Sequence, residues 1–185
     1  MDFSGRLFYR YWQDNKREVM FRKTHMSIRP LQDRDRAWAK AIVSKNFGSS
    51  RVISRGVLHE TDLLPGLVAE DETTPIGLLQ YRIEKGQCEV VILISVRRRE
   101  GVGTALLWAL RRIAETSKCR RIWLITTNNN RIGKAFYQAV GLRQCAVYPD
   151  AIAKSRKLKP EIPEYDEEGI AIKDEIEYEW LLSDT

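Results

Sequence analysis

The sequence predicts an α/β or α+β domain in which one mixed sheet is covered by helices. Three observations point there. Short apolar runs rich in β-branched residues recur along the chain, with turn residues between them. Residues 67–95 form a meander of three such runs with short connections. The second half alternates strand and helix patterns, which implies neighbouring, partly parallel strands. A length of 185 residues suits one domain with its own core.

The elements follow in order. Met26–Leu31 reads as a first short strand. Asp33 is a suitable cap for a helix to about Asn46, with Ala37, Trp38, Ala41, Ile42 and Lys45 at helical spacing. Gly48-Ser49-Ser50 stops it, and residues 51–64 read as loop or short helix. Strands are expected at Leu67–Glu70, Ile76–Glu84 and Cys88–Ser95. Val102, Ala105, Leu106, Ala109, Leu110 and Ile113 lie on one helical face. Arg121–Thr126 reads as a buried strand, Arg131–Val140 as a helix stopped by Gly141, and Leu142–Tyr148 as a strand. A short basic helix near Pro149–Leu158 follows. Strict alternation across Glu175–Trp180 closes the chain with a half-buried strand. Residues 1–25 lack a clear period and are expected to be an N-terminal extension, leader or mis-set start ahead of a single domain over 26–182.

Composition narrows the function. No run approaches the roughly 20 apolar residues that cross a bilayer, so no membrane-spanning helix is expected. The first residues carry no apolar signal core. Cys88, Cys119 and Cys145 are an odd, widely spaced set. They support neither a disulfide framework nor a metal site, and a reducing, cytoplasmic setting follows. The net charge of +6 is unevenly distributed: basic residues outnumber acidic ones 15 to 3 across residues 97–159, and acidic outnumber basic 10 to 1 across 160–185. Such a middle suits nucleic acid, a phosphorylated cofactor, or its own acidic segments.

The most informative segment is Ser95–Thr104, SVRRREGVGT, where a strand meets a glycine-bearing basic loop that opens a helix. The first N–H groups of a helix lack internal partners and sit at the positive end of its dipole. Gly101 and Gly103 let an anion approach the backbone, and Arg97, Arg98 and Arg99 add charge. Neither the P-loop string nor the three-glycine dinucleotide fingerprint is present.

Arg98-Arg99-Glu100-Gly101-Val102-Gly103 resembles the Q/R-x-x-G-x-G/A signature of the GNAT superfamily of N-acetyltransferases. Asn130–Leu142, NRIGKAFYQAVGL, resembles the same family's N-x-x-A-x-x-F-Y-x-x-x-G-F block, with Gly133 for alanine and Leu142 for phenylalanine. The resemblance spans about Ser27 to Trp180. It implies a splayed mixed sheet of six to seven strands flanked by about four helices, with acetyl-CoA as donor and no metal.

The resemblance also implies roles. The loop through Arg98, Arg99, Glu100, Gly101, Val102, Gly103 and Thr104 would hold the pyrophosphate. The backbone of Leu93, Ile94 and Ser95 would pair with the pantetheine arm, and an N–H near Ser95 would polarise the thioester carbonyl. Asn130 would contact the arm beyond the next strand. Tyr137 would be general acid to the departing thiolate. An amine is mostly protonated at neutral pH, so a base is also needed. Glu89 is the first candidate, on a strand face expected to include Val91, Leu93 and Ser95. Glu70 and His59 are weaker candidates, and water is a further one. The cysteines read as core or spectators.

The expected reaction is acetyl transfer from acetyl-CoA to a primary amine by direct attack, the acceptor being a small molecule or a protein. A non-catalytic acyl-CoA-binding or regulatory module is the alternative. Nucleic-acid binding is weaker, since no helix-turn-helix, zinc or RNP pattern accompanies the charge. Glu175, Glu177 and Glu179 either favour a cationic acceptor or form a solvated strand face. A homodimer is left open.

Overall fold

A computed structural model describes residues 26–182. The N-terminal extension of residues 1–25 lies outside the described residues. Nine strands and four α-helices follow in order: β1 Met26–Pro30, α1 Arg36–Phe47, β2 Arg51–Ser54, β3 Val57–Glu60, β4 Gly66–Asp71, β5 Thr74–Glu84, β6 Gln87–Ser95, α2 Val102–Thr116, β7 Arg121–Thr127, α3 Arg131–Ala139, β8 Arg143–Tyr148, α4 Ala151–Leu158 and β9 Glu175–Leu181. The expected strand and helix positions hold to within a few residues. The first helix is the main boundary change. Asp33–Asp35 is a 3-10 turn, and α1 starts at Arg36. Asp35, rather than Asp33, organises this entry: its carboxylate accepts the Gln32 N–H at 2.8 Å and pairs with Arg29.

Seven strands form one sheet in the order β1-β4-β5-β6-β7-β9-β8. Only β6 and β7 run parallel, joined by the α2 crossover, and every other neighbouring pair is antiparallel. The expected side-by-side parallel strands of the second half are therefore limited to this one pair. β9 inserts between β7 and β8, and antiparallel β9 separates them.

The pleat divides the core in two. Leu79, Cys88, Val90, Ile122, Leu124, Ile176 and Tyr178 face α2, meeting Val102, Leu106, Leu107 and Leu110. Val68, Leu78, Ile92 and Ile94 face α1, meeting Ala39 and Val43. Burial of these side chains supplies the main driving force. The α2 side needs a close approach: a Cβ on Gly77 would stand 2.4 Å from Val102 Cγ1 and 3.3 Å from the Ile94 carbonyl.

Two departures from the sequence reading shape the site. Residues 51–64 contain a β-hairpin, β2–β3, followed by a 3-10 turn at Thr61–Leu63. Its two-residue turn, Arg55-Gly56, has positive φ at both positions (49° and 75°), the geometry that matches hairpin twist. The second departure is in β9. Glu175, Glu177 and Glu179 do not form a solvated face: they are 2%, 2% and 7% exposed, covered by Ser155 of α4 and by Arg55, Arg121 and Arg143.

Candidate functional site

The strands β6 and β7 stay paired from Gln87↔Arg121 to Val90↔Leu124 and then part. The parting coincides with a β-bulge. Tyr81 opposes Val90 and Gln80 opposes Ile92, so Val91 is an extra residue in β6. A cavity of about 500 Å³ opens at this fork, within the range of small-ligand sites. Val90, Val91 and Leu93 form one wall and Leu124–Thr127 another. Val52, Ile53 and Ser54 of β2, the end of α1, and Ile152 and Ser155 of α4 enclose the rest.

The bulge also corrects the expected face of β6. Cys88 and Val90 pack on the α2 side, whereas Ile92 and Ile94 pack on the α1 side. Alternation is broken at Val91, so Glu89 shares its face with Ile92 and Ile94 and not with Leu93 and Ser95. Leu93 packs toward α2 and lines the cavity. Ile94 is a buried core residue. Ser95 ends the strand, its hydroxyl donating to the Arg97 carbonyl at 2.6 Å.

Beyond Ser95 the chain makes the glycine loop. Arg99 and Gly101 adopt left-handed backbone, with φ of 63° and 80°. The first bond of α2 runs from the Ala105 N–H to the Gly101 carbonyl. The N–H groups of Val102, Gly103 and Thr104 therefore precede any helical acceptor, which is the arrangement that receives an anion. Arg98 and Arg99 are exposed beside them, with Glu100. Arg97 instead pairs with Asp71 at 2.5 Å, anchoring the loop to β4. Gly103 has a packing role as well: a Cβ there would meet the Phe136 ring at 3.0 Å. These residues fit a pyrophosphate.

Asn130 lines the cavity and caps α3. Its side-chain oxygen accepts the Gly133 N–H at 2.9 Å, and its amide nitrogen donates to Thr126 Oγ1 at 2.8 Å. A Cβ at Gly133 would stand 2.3 Å from that amide nitrogen, so the glycine and this capping geometry go together. Tyr137, two turns on, lines the same cavity, between Phe136 and Tyr178 with ring centroids 5.6 and 5.7 Å away. Burial, with a smaller contribution from Tyr178, pushes its phenol up to about 12. It holds its proton throughout the neutral range.

Glu89 is buried beneath the β2–β3 hairpin, with Oε1 3.6 Å from His59 Nε2. Burial raises the Glu89 pKa, against the pull of Ser54, Arg82 and Arg55. Burial lowers that of His59, and Arg82 lowers it further. Ser54 Oγ, His59 Nε2, Gln80 Oε1 and Glu89 Oε1 are all buried without hydrogen-bond partners. Of these residues, Ser54 also lines the cavity. Glu70 is elsewhere, accepting from Arg29 Nε at 2.8 Å. Cys88 and Cys119 are buried thiols. Cys145 lies in contact with Glu177, and its thiol is pushed up to about 11, first by burial.

The sequence reading missed the hairpin, Ser54, Lys159 and the cavity position of Glu175. Lys159 is buried, donating to the carbonyls of Phe47 and Arg51 at 2.7 and 2.6 Å. Part of the basic middle meets the acidic end of the chain: Arg121 and Arg143 bind β9 glutamates, and Arg131 pairs with Glu168.

Residues 29–142 match the model of the acetyltransferase (GNAT) family. The chain belongs to the GNAT acetyltransferase family. It is accordingly an acyltransferase, with the mixed sheet and four flanking helices of that fold. Among its relatives, Bacillus subtilis (strain 168) YdhI, an uncharacterised protein, is 42% identical over 134 residues, covering 72% of this chain and 84% of YdhI. YxbD of the same organism, also uncharacterised, is 34% identical over 152 residues, covering 82% and 96%. The GNAT fold is shared with the Escherichia coli ribosomal-protein-S18-alanine N-acetyltransferase at a TM-score of 0.62, 16% identity and coverage of 86% and 96%. It is shared too with Salmonella typhimurium yncA, a structure with acetyl-CoA, at a TM-score of 0.61, 15% identity and coverage of 86% and 95%. No helix among the described residues is long and apolar enough to cross a membrane.

Proposed function

We propose that this protein transfers an acetyl group from acetyl-CoA to a primary amine by direct attack. The observation that carries the reading is the fork between β6 and β7, which opens beside Tyr137 with the glycine loop at the end of β6. The amides of Val102, Gly103 and Thr104, with Arg98 and Arg99, hold the pyrophosphate. The freed edge of β6 at Leu93–Ser95 takes the pantetheine arm, and Asn130 stands across from it.

In the reaction, the amine nitrogen bonds to the acetyl carbonyl carbon and the carbon–sulfur bond breaks. Tyr137 supplies a proton to the leaving sulfur, because it lines the cavity and its phenol keeps its proton near neutrality. Glu89 is the base. Its raised pKa makes it a stronger proton acceptor than an exposed carboxylate. Ser54, which lines the cavity and whose hydroxyl is close enough to Glu89 to pull its pKa down, is the natural relay between the acceptor and Glu89. No covalent enzyme intermediate is needed, in keeping with buried or hydrogen-bonded thiols whose pKa values are raised.

Calorimetric titration with acetyl-CoA, followed by an amine screen with thiol detection, tests the reading. Binding and amine-dependent CoA release are expected. Absence of binding at high micromolar donor would remove the acetyl-CoA reading, and binding without turnover on any amine would leave a regulatory module instead.

A further inference from the structure

Glu175, Glu177 and Glu179 lie on one face of β9, and all are buried. A carboxylate taken from water is costly unless a cation or strong hydrogen bonds compensate. Glu177 and Glu179 have such cations. Arg121 bridges them at 2.7 and 3.0 Å, Arg143 reaches Glu179 at 2.7 Å, and Arg55 reaches Glu177 at 3.4 Å. Glu175 is different. Its hydrogen bonds come from two neutral donors, Ser155 Oγ at 3.3 Å and the Arg55 backbone N–H at 3.2 Å. Among the described residues, no cationic side chain forms an ion pair with it.

Glu175 is also the member of the three that lines the cavity. It pairs with Thr127 at the end of β7 that has parted from β6, so it sits beside the fork. Lys159 lines the cavity too, but its ammonium is turned to the carbonyls of Phe47 and Arg51. A second carboxylate, Glu161, lines the cavity too, but it is exposed and accepts from Ser49 Oγ at 3.0 Å, and Phe47, Val52, Ile152, Ile162 and Ile172 supply apolar wall.

We propose that Glu175 recognises the acceptor, a small primary amine with an apolar body, by receiving its ammonium group. The ammonium supplies the direct ion pair that Glu175 lacks, the Arg55 charge acting on it only through space, and the apolar body covers the apolar walls. Glu175 is a specificity residue here and Glu89 remains the base. The assignment rests on the acetyl-transfer reading for what happens after binding, and its test does not depend on turnover.

The test titrates 2-phenylethylamine and n-hexylamine, each against the alcohol of the same skeleton, into the full chain, following chemical shifts and thermal stability. The amines are expected to bind wild type at least about tenfold more tightly than the alcohols. Glu175→Gln should erase that preference and leave the acetyl-CoA affinity unchanged. Equal binding of amines and alcohols, a preference for 3-phenylpropionate, or an undiminished preference in folded Glu175→Gln would overturn the assignment. Should that variant fail to fold, equal binding of amines and alcohols by wild type still overturns the assignment, and so does loss of the preference in Glu161→Gln, the other carboxylate of the cavity. If the amine preference holds while acetyl-CoA does not bind, the transfer reading fails and the Glu175 site stands. If acetyl-CoA binds and the preference is absent, the reverse holds.

Discussion

Glu89 Oε1 lies 3.6 Å from His59 Nε2, and neither atom has a hydrogen-bond partner. Both groups are pushed toward their neutral forms, Glu89 upward and His59 downward, mainly by burial. The pair is therefore a poised proton site under the hairpin, not a settled salt bridge. The signs give a pH test. The Glu89 contribution to stability is complete below the ordinary carboxylate value of 4.5 and is lost as pH rises through its raised folded value. The His59 contribution is present above 6.5 and is lost as pH falls. Glu89→Gln removes only the first. The melting temperature of the variant should gain on wild type as pH rises from mildly acidic to neutral, while turnover falls by about 10²–10⁴. Parallel melting curves against pH would show that Glu89 titrates normally.

Tyr137→Phe isolates the proton to sulfur. The ring keeps its contacts with Phe136 and Tyr178, so folding and acetyl-CoA affinity should hold. The value of kcat should fall by about 10²–10⁴, the range for loss of a positioned acid. The loss should be smaller for a donor thioester whose leaving thiol is more acidic. An unchanged kcat on the natural donor would take Tyr137 out of the reaction.

The loop from Arg98 to Thr104 and the helix carrying Tyr137 are local features, and the sequence carries them as local signals: glycine placement, a helix start, a 3.6-residue period. The opposite side of the cavity is non-local. Ser54, Glu175 and Lys159 come from three distant segments, and nothing in their neighbourhoods announces that they converge. The hairpin was hidden because RVISRGVLHE has a turn at Arg55-Gly56 without the usual Asn-Gly or Asp-Gly pair. The bulge at Val91 was hidden for another reason. One extra residue leaves an apolar run, CEVVILIS, looking unchanged while it reverses which side chains face which helix. The β9 glutamates show the same limit: alternation reveals a strand, and only the groups packed over it, Ser155 of α4 and Arg55 of the hairpin turn among them, reveal that its acidic face is covered.

Gly77 ties the fold to the loop. Its missing side chain lets Val102, the first residue of α2, rest on β5, with a Cβ-to-Cγ1 distance of 2.4 Å if a Cβ were present. Leu106 Cδ1 at 3.0 Å and the Ile94 carbonyl at 3.3 Å crowd the same position. Gly77→Val should cost about 1–3 kcal/mol by overpacking. It should also weaken acetyl-CoA binding, because the start of α2 is displaced from the loop. A wild-type Kd in a destabilised protein would separate the two effects and place the loop's geometry under local control.

Arg121 tests whether the acidic strand is held by its arginines. The guanidinium bridges Glu177 and Glu179, which are nearly inaccessible, and lies 5.5 Å from the Trp123 ring centre. Removing it weakens the compensation of two buried carboxylates: Arg143 still holds Glu179, whereas Glu177 keeps a neutral donor, the Tyr148 hydroxyl at 2.7 Å, and as cation only Arg55 at 3.4 Å. Arg121→Leu should therefore cost about 3 kcal/mol or more at neutral pH. Removing the weakly compensated charge should return part of the loss, so Arg121→Leu combined with Glu177→Gln should be more stable than Arg121→Leu alone. Chemical denaturation of the single and double variants measures that coupling. Additive costs would mean that the paired charges contribute nothing to one another, and that β9 is held in the sheet by its backbone ladder and the Ile176 and Tyr178 face alone.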